Sequence, residues 1–169
     1  LLLLMPILSV GQIIKEGSRQ IHLDFHTSGL IENIGENFSK EQFKKALKIG
    51  NVNSINIFGK GHHGYSYYNT KIGTRHPHLK FDLLKEQIEA CHEMGVTAQV
   101  YFTVGWSQKD ADDHPEWILK DKNGTTNKLE VLKKLGPNDR LPNFTWRLLA
   151  PSNGYDEFIL KQVEEICVN

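Results

Sequence analysis

Apolar and polar residues alternate from Gln20 to Phe25, with Ile21, Leu23 and Phe25 on one side and His22 and Asp24 on the other. A period of two predicts a short strand with one buried face. From Ser39 onward the period becomes helical. Phe43, Ala46 and Leu47 form an apolar stripe, Ser39 is a good N-cap, and Gln42 completes a capping box. Phe38 and Phe43 hold the positions of a hydrophobic staple, and Gly50 supplies the stop. Val52 to Phe58 reads as a second strand, followed by a loop from Gly59 to Lys80. A second helix is predicted from about Asp82 to Met94, on a stripe of Phe81, Leu84, Ile88 and Cys91, ended by Gly95. Val96 to Val104 is apolar almost throughout, as a parallel strand covered on both faces should be. The next stretch is irregular, with Lys122-Asn123-Gly124-Thr125 as the turn of a small hairpin. A third helix begins near Tyr155, capped by Ser152 or Asn153. It carries Tyr155, Ile159, Val163 and Ile166 on one face and runs to the last residue.

Strands alternating with helices predict an α/β fold with a parallel sheet. A complete eightfold barrel needs about 250 residues. This chain, at 169, holds three strand-helix units, the last helix leading toward a fourth strand. The predicted fold is therefore the N-terminal part of a (β/α)8 TIM barrel, three to four βα units long, over residues 19–169. Residues 1–18 form an N-terminal extension. Its opening run, Leu1 to Leu8, matches the apolar core of a leader but has no basic segment before it, and it is too short to span a bilayer. A leader remnant and a cut end both fit. An open three-stranded sheet leaves a parallel edge and apolar faces uncovered, so association or poor solubility is expected.

Charge narrows the partners. Lys plus Arg equals Asp plus Glu, at 20 each, and no basic run interleaved with aromatics occurs. Neither nucleic acid nor a membrane surface is an expected partner. The compartment stays open, with a cytoplasmic placement favoured over secretion. Cys91 and Cys167 both fall on apolar stripes and are expected to be small buried core residues; two cysteines exclude a disulfide framework.

The candidate chemistry gathers at strand ends. Six of the eight histidines lie between His22 and His78. His22, Asp24 and His26 alternate with apolar residues and so share one face. They suit hydrogen bonding to a sugar, metal ligation, or a polar network inside a barrel. His62-His63 stands between Gly61 and Gly64 just past the second strand, with Lys60, Tyr65, Tyr67 and Tyr68 around it. Aromatic faces stack on the C–H side of sugar rings, while imidazoles and amines bind hydroxyls. A solvated loop with incidental histidines is the plainer alternative. His76-Pro77-His78 reads as loop structure. Tyr101 and Thr103 share a face of the third strand, and Trp106 at its end is a possible sugar platform. Trp117, within His114-Pro115-Glu116-Trp117, is either rim or packing. Substrate-binding candidates are thus His22, Asp24, His26, Lys60, His62, His63, Tyr67, Tyr101, Trp106 and Trp117. A metal-dependent hydrolase using Asp24, His62 and His63 is a second reading, without a His-Glu-x-x-His signature. A non-catalytic carbohydrate-binding module is a third. No dinucleotide or phosphate loop and no nucleophile elbow occurs, and no cofactor is expected.

The runs RQIHLDFHTS, FGKGHHGYSYYNTKIGTRHPHLKFDLL and VYFTVGW followed by HPEW resemble a glycoside hydrolase group related to α-L-fucosidases. Its barrel is often joined to a β-galactosidase-type trimerisation domain. The resemblance covers nearly everything from Arg19 to Cys167. It implies a carbohydrate substrate and a parent protein capable of homo-oligomerisation. It also implies sugar contacts at His62 and His63 and a pocket lined by His26 and Trp106. The fucosidase loop reads roughly His-His-Asp-Gly-Phe, whereas this chain has His62-His63-Gly64-Tyr65. The missing Asp weakens the case for fucose specificity and leaves sugar binding, fucosidase-like or galactosidase-like, as the expectation. By the same resemblance the nucleophile is an Asp ending strand four, beyond Asn169. Retaining hydrolysis needs two carboxyl groups about 5–5.5 Å apart. Asp24 is the acid best placed for the pocket, while Asp110, Asp112, Asp113 and Glu116 fall in the irregular loop.

Overall fold

The computed structural model describes residues 18–120, 122–123, 147–151 and 154–168. The Leu1 to Leu8 run, Gly124 and Thr125 of the expected hairpin turn, the caps Ser152 and Asn153, and Asn169 lie outside the described residues.

The structure is mixed α/β. Three parallel strands form its frame: β1 (Gln20–His22), β2 (Ser54–Lys60) and β5 (Thr97–Phe102). β2 lies between the other two, with Ile21 opposite Ile55 and Ile55 opposite Ala98. Two short strands, β3 (Tyr65–Ser66) and β4 (Thr74–Arg75), extend the sheet from within the segment read as loop. β3 folds back antiparallel on the end of β2, with Lys60 opposite Ser66. α1 (Lys40–Ile49) and α2 (Leu83–Glu93) connect the main strands, and α4 (Tyr155–Val168) follows later.

The N-terminal signals of α1 and α2 hold. Ser39 Oγ accepts the Gln42 amide at 3.3 Å, and the Phe38 and Phe43 rings stand 5.9 Å apart. Asp82 caps α2 by accepting the Lys85 amide at 2.9 Å. The stop after α1 differs from expectation. Gly50 keeps a right-handed conformation, and Asn51 takes the positive φ of 49° instead. Asparagine tolerates that region because its short side chain bonds locally.

The two faces of the sheet are chemically distinct. Ile55 and Ile57 point toward the helices and pack with Leu47 of α1, Leu84 and Cys91 of α2, and Ile166 of α4. The opposite face carries His22, Asn56, Phe58, Gln99 and Tyr101 by the strand register. Phe58 there joins Ile34, Tyr67, Leu79 and Leu83 in a second cluster.

Four expectations change. β5 is only partly buried along its length, because among the described residues it pairs on one side alone. The sheet therefore covers β2 and leaves β1 and β5 as edges. Cys167 is exposed, whereas Cys91 is fully buried and its thiol is pushed up to about 11 by burial. The stripe of α4 is rotated: Val163 is exposed, and Gln162 and Glu165 are buried in its place. The irregular stretch contains α3 (Gln108–Asp113) and a 3-10 turn at Pro115–Trp117, and Leu148 and Leu149 bridge to Trp106 and Ile118.

Candidate functional site

The site is built where β1, β2 and β5 end. After His22 the chain leaves the sheet, and Asp24 Oδ1 accepts the His26 amide at 3.2 Å. That turn brings the His26 ring over the end of β2. Beyond Lys60, the amide of Gly64 donates to the carbonyl of Gly61 at 2.9 Å and closes the turn that presents His62 and His63. Two glycines make this geometry accessible. A Cβ at Gly61 would stand 2.9 Å from Tyr67 Oη and 3.2 Å from His26 Nδ1. Gly64 has φ +87°, and its Cβ would meet Ser107 Oγ at 2.5 Å.

The rings converge. His26 and His62 stack at 3.8 Å. The His62 amide donates to His26 Nδ1 at 2.9 Å, which places the proton of a neutral His26 on Nε2. His62 Nε2 and the Tyr101 hydroxyl are 2.7 Å apart. Tyr101 stacks on Phe58 at 4.3 Å, and His22 meets Phe58 edge-on at 5.4 Å. Trp106 lies 5.5 Å from the His62 ring. The Thr103 hydroxyl, buried, donates to the Trp106 carbonyl at 2.7 Å and fixes the chain there. His62, Tyr101, Phe102, Thr103, Val104, Gly105 and Trp106 line an open cleft of about 300 Å³.

Electrostatics keeps the imidazoles neutral. Burial pulls His26, His62 and His63 below the ordinary imidazole value, and each feels a neighbouring imidazole that adds to the effect. Asp24 pulls His26 and His62 partly back up. Neutral imidazoles offer both a donor and an acceptor, which matches a sugar hydroxyl.

Not every candidate reaches the cleft. Lys60 is fully buried: its Nζ stands 2.6 Å from Asp110 Oδ2 and 3.2 Å from Gln162 Oε1, between the rings of Phe102 and Phe158. Tyr67 is also fully buried, donating to the Phe25 carbonyl at 2.6 Å and accepting the Thr27 amide at 3.1 Å. It shapes the segment that carries His26. Trp117 packs in a separate core with Tyr155, Ile159 and Leu149, its ring 3.7 Å from His114. These three are internal, because each found a partner far along the chain. His22 and Asp24 are exposed at the rim. His63 is half-buried, with its carbonyl accepting the Lys109 amide at 3.1 Å. His76 is buried and bonds through Nε2 to the Ser28 carbonyl at 2.9 Å, as loop structure should.

Sequence reasoning missed Phe58, the floor on which Tyr101 and the histidines rest, because an apolar residue in a strand reads as ordinary core. It also left Asp110 in a loop. Among the described residues, no three His, Cys, Asp or Glu side chains converge as a metal site, so Asp24, His62 and His63 do not assemble as the second reading requires. Nor is any helix there long and apolar enough to cross a membrane. A larger groove of about 580 Å³ runs between α2 and α4 on the helical side and includes none of these strand-end residues.

The family model described as hypothetical glycosyl hydrolase 6 matches residues 39–169. Among solved structures, α-L-fucosidase isoenzyme 2 from Paenibacillus thiaminolyticus superposes with a TM-score of 0.75 at 40% identity, over 88% of this chain and 21% of that one. The chain thus spans about a fifth of that fucosidase. A maltogenic α-amylase from Thermotoga neapolitana matches at TM-score 0.52 and 18% identity, over 86% of this chain and 35% of the other, a likeness of fold alone. No curated protein matches by sequence. The chain belongs to the hypothetical glycosyl hydrolase 6 family.

Proposed function

We propose that these residues form the sugar-holding wall of a glycoside hydrolase, in the first βα units of a barrel. The strand order β1–β2–β5 supports the barrel reading. Successive parallel strands lie side by side, and the helices that follow them all pack on one face. The observation that carries the function is the convergence of His26, His62, Tyr101 and Trp106 at the C-terminal ends of those strands. Imidazole Nε2–H of His26 and the Tyr101 hydroxyl supply polar contacts, and Trp106 supplies a flat face for sugar C–H groups. His63 and the rim residues His22 and Asp24 stand within reach of a larger glycan.

Among the described residues, Asp110 is held by Lys60 and no carboxylate lines the cleft. The 40% identity to an α-L-fucosidase favours a fucose-like glycone, while Gly64 in place of an acidic residue favours a broader choice. Titration of the chain with L-fucose and with D-galactose, followed by imidazole NMR signals, tests the reading. His26 and His62 should shift, and His62→Ala or Trp106→Ala should abolish the response. No response to either sugar would overturn it. Turnover of an aryl α-L-fucoside by this chain would show that it also carries a reacting pair.

A further inference from the structure

Lys60 and Asp110 form a charged pair that the sugar-holding site does not use directly. Lys60 is fully buried and Asp110 nearly so. Such a pair gains little for stability over apolar residues of similar size, so its place in the fold calls for another account. Lys60 immediately precedes the Gly61–Gly64 turn. Its side chain reaches away from the cleft to Asp110, in the first turn of α3. The free amides at the start of that helix return to the turn: Gln108 donates to the His62 carbonyl and Lys109 to the His63 carbonyl, both at 3.1 Å. Ser107 and Lys109 also abut Gly64. The path is a closed ring: Lys60, Asp110, the start of α3, the two histidine carbonyls, and back along the chain to Lys60. Gln162 of α4 adds a second acceptor for Lys60 at 3.2 Å.

We infer that the Lys60–Asp110 pair is a positioning clamp that sets the backbone of the His62–His63 turn, and through the His62 amide the ring of His26. This rests on the sugar-holding reading for its purpose, though not for its geometry. Lys60 and Asp110 are positioning residues and touch no substrate. A turn of four residues containing two glycines has many alternative conformations. Two helix-terminal amides fix its carbonyls only if α3 itself is fixed, and the buried pair fixes α3.

The double variant Lys60→Met/Asp110→Leu removes both charges while retaining much of their bulk. It is compared with Asp110→Asn, which keeps an acceptor for Lys60. With folding verified by circular dichroism, the double variant should show moved and broadened imidazole signals for His26 and His62. Its L-fucose affinity should fall by about tenfold. Asp110→Asn should retain the parental imidazole signals, a rescue that general loss of packing would not produce. Unchanged His26 and His62 signals in a folded double variant would overturn the clamp. Should the double variant not fold, amide exchange on the unaltered chain decides. The amides of His62, Gly64, Gln108 and Lys109 should exchange as one unit, within about threefold of one another in protection. Exchange at His62 about a hundredfold faster than at Gln108 would overturn the clamp. A chain that binds no sugar yet passes the imidazole or exchange test refutes the sugar reading and leaves the clamp standing.

Discussion

His26 shows how one residue can carry several constraints. Its amide is taken by Asp24, its Nδ1 by the His62 amide, and its ring is stacked on His62. His62 in turn is tied to Tyr101. Burial lowers the proton affinity of His26, His62, His63 and His76 in the fold. In the unfolded chain these rings titrate at about 6.5. Below that pH the unfolded chain binds protons that the folded chain refuses. Stability is therefore full above about 6.5 and falls as the pH drops toward the lowered folded values. Urea midpoints at pH 7.5 and 5.5 should differ, with the lower midpoint in acid; equal midpoints would contradict the burial argument. The cleft histidines were legible because polar residues at successive strand ends are unusual. Lys60, Tyr67 and Trp117 were legible only as polar or aromatic residues near the site. Their true partners, Asp110 and Gln162 for Lys60 and the Phe25 carbonyl for Tyr67, are set by tertiary folding that local pattern does not encode.

At the scale of elements, α1 and α2 were readable to within a residue or two, because capping and stripe signals agree there. α3 was not. Its sequence, Gln-Lys-Asp-Ala-Asp-Asp, has no apolar stripe, and its stability comes from the Ser107 cap and the buried Asp110. The rotated stripe of α4 has the same cause: Gln162 and Glu165 are buried because they serve loop and strand partners. Glu165 accepts from Thr70 Oγ1 and from the Lys71 amide, both at 2.6 Å. The seam between α3 and the histidine turn has one tight point, Gly64. Gly64→Ala adds a left-handed strain of about 1–2 kcal/mol to the collision with Ser107 and Lys109. Thermal unfolding should show a loss of at least that size. Gly105→Ala, where nothing lies within 4 Å, should cost far less. Equal losses at the two positions would show that the seam is not tight.

For the whole molecule, the governing fact is that β2 alone among the long strands has neighbours on both sides among the described residues. β1 and β5 present parallel edges, and Ile21, Leu23, Val104, Leu160 and Val163 expose apolar surface. Open edges invite pairing with another chain. The isolated chain should associate as its concentration rises, as read by light scattering across a dilution series. A monomer at every concentration would contradict this. The α/β class and the parallel order were legible because the helical stripes of α1 and α2 alternate with short apolar strand segments. The degree of exposure was not, since the apolar run Val96 to Val104 looks alike at the centre and the edge of a sheet.

Lys60 is separated from Asp110 by 50 residues and from Gln162 by 102. Synthesis adds roughly 5–20 residues each second, so Lys60 leaves the ribosome about 5–20 seconds before Gln162 does. Asp110 follows Lys60 by about 2.5–10 seconds, so the two can pair before α4 is made, and Gln162 and Phe158 then enclose them. The pair is thus assembled in two steps on the nascent chain, first with α3 and then with α4.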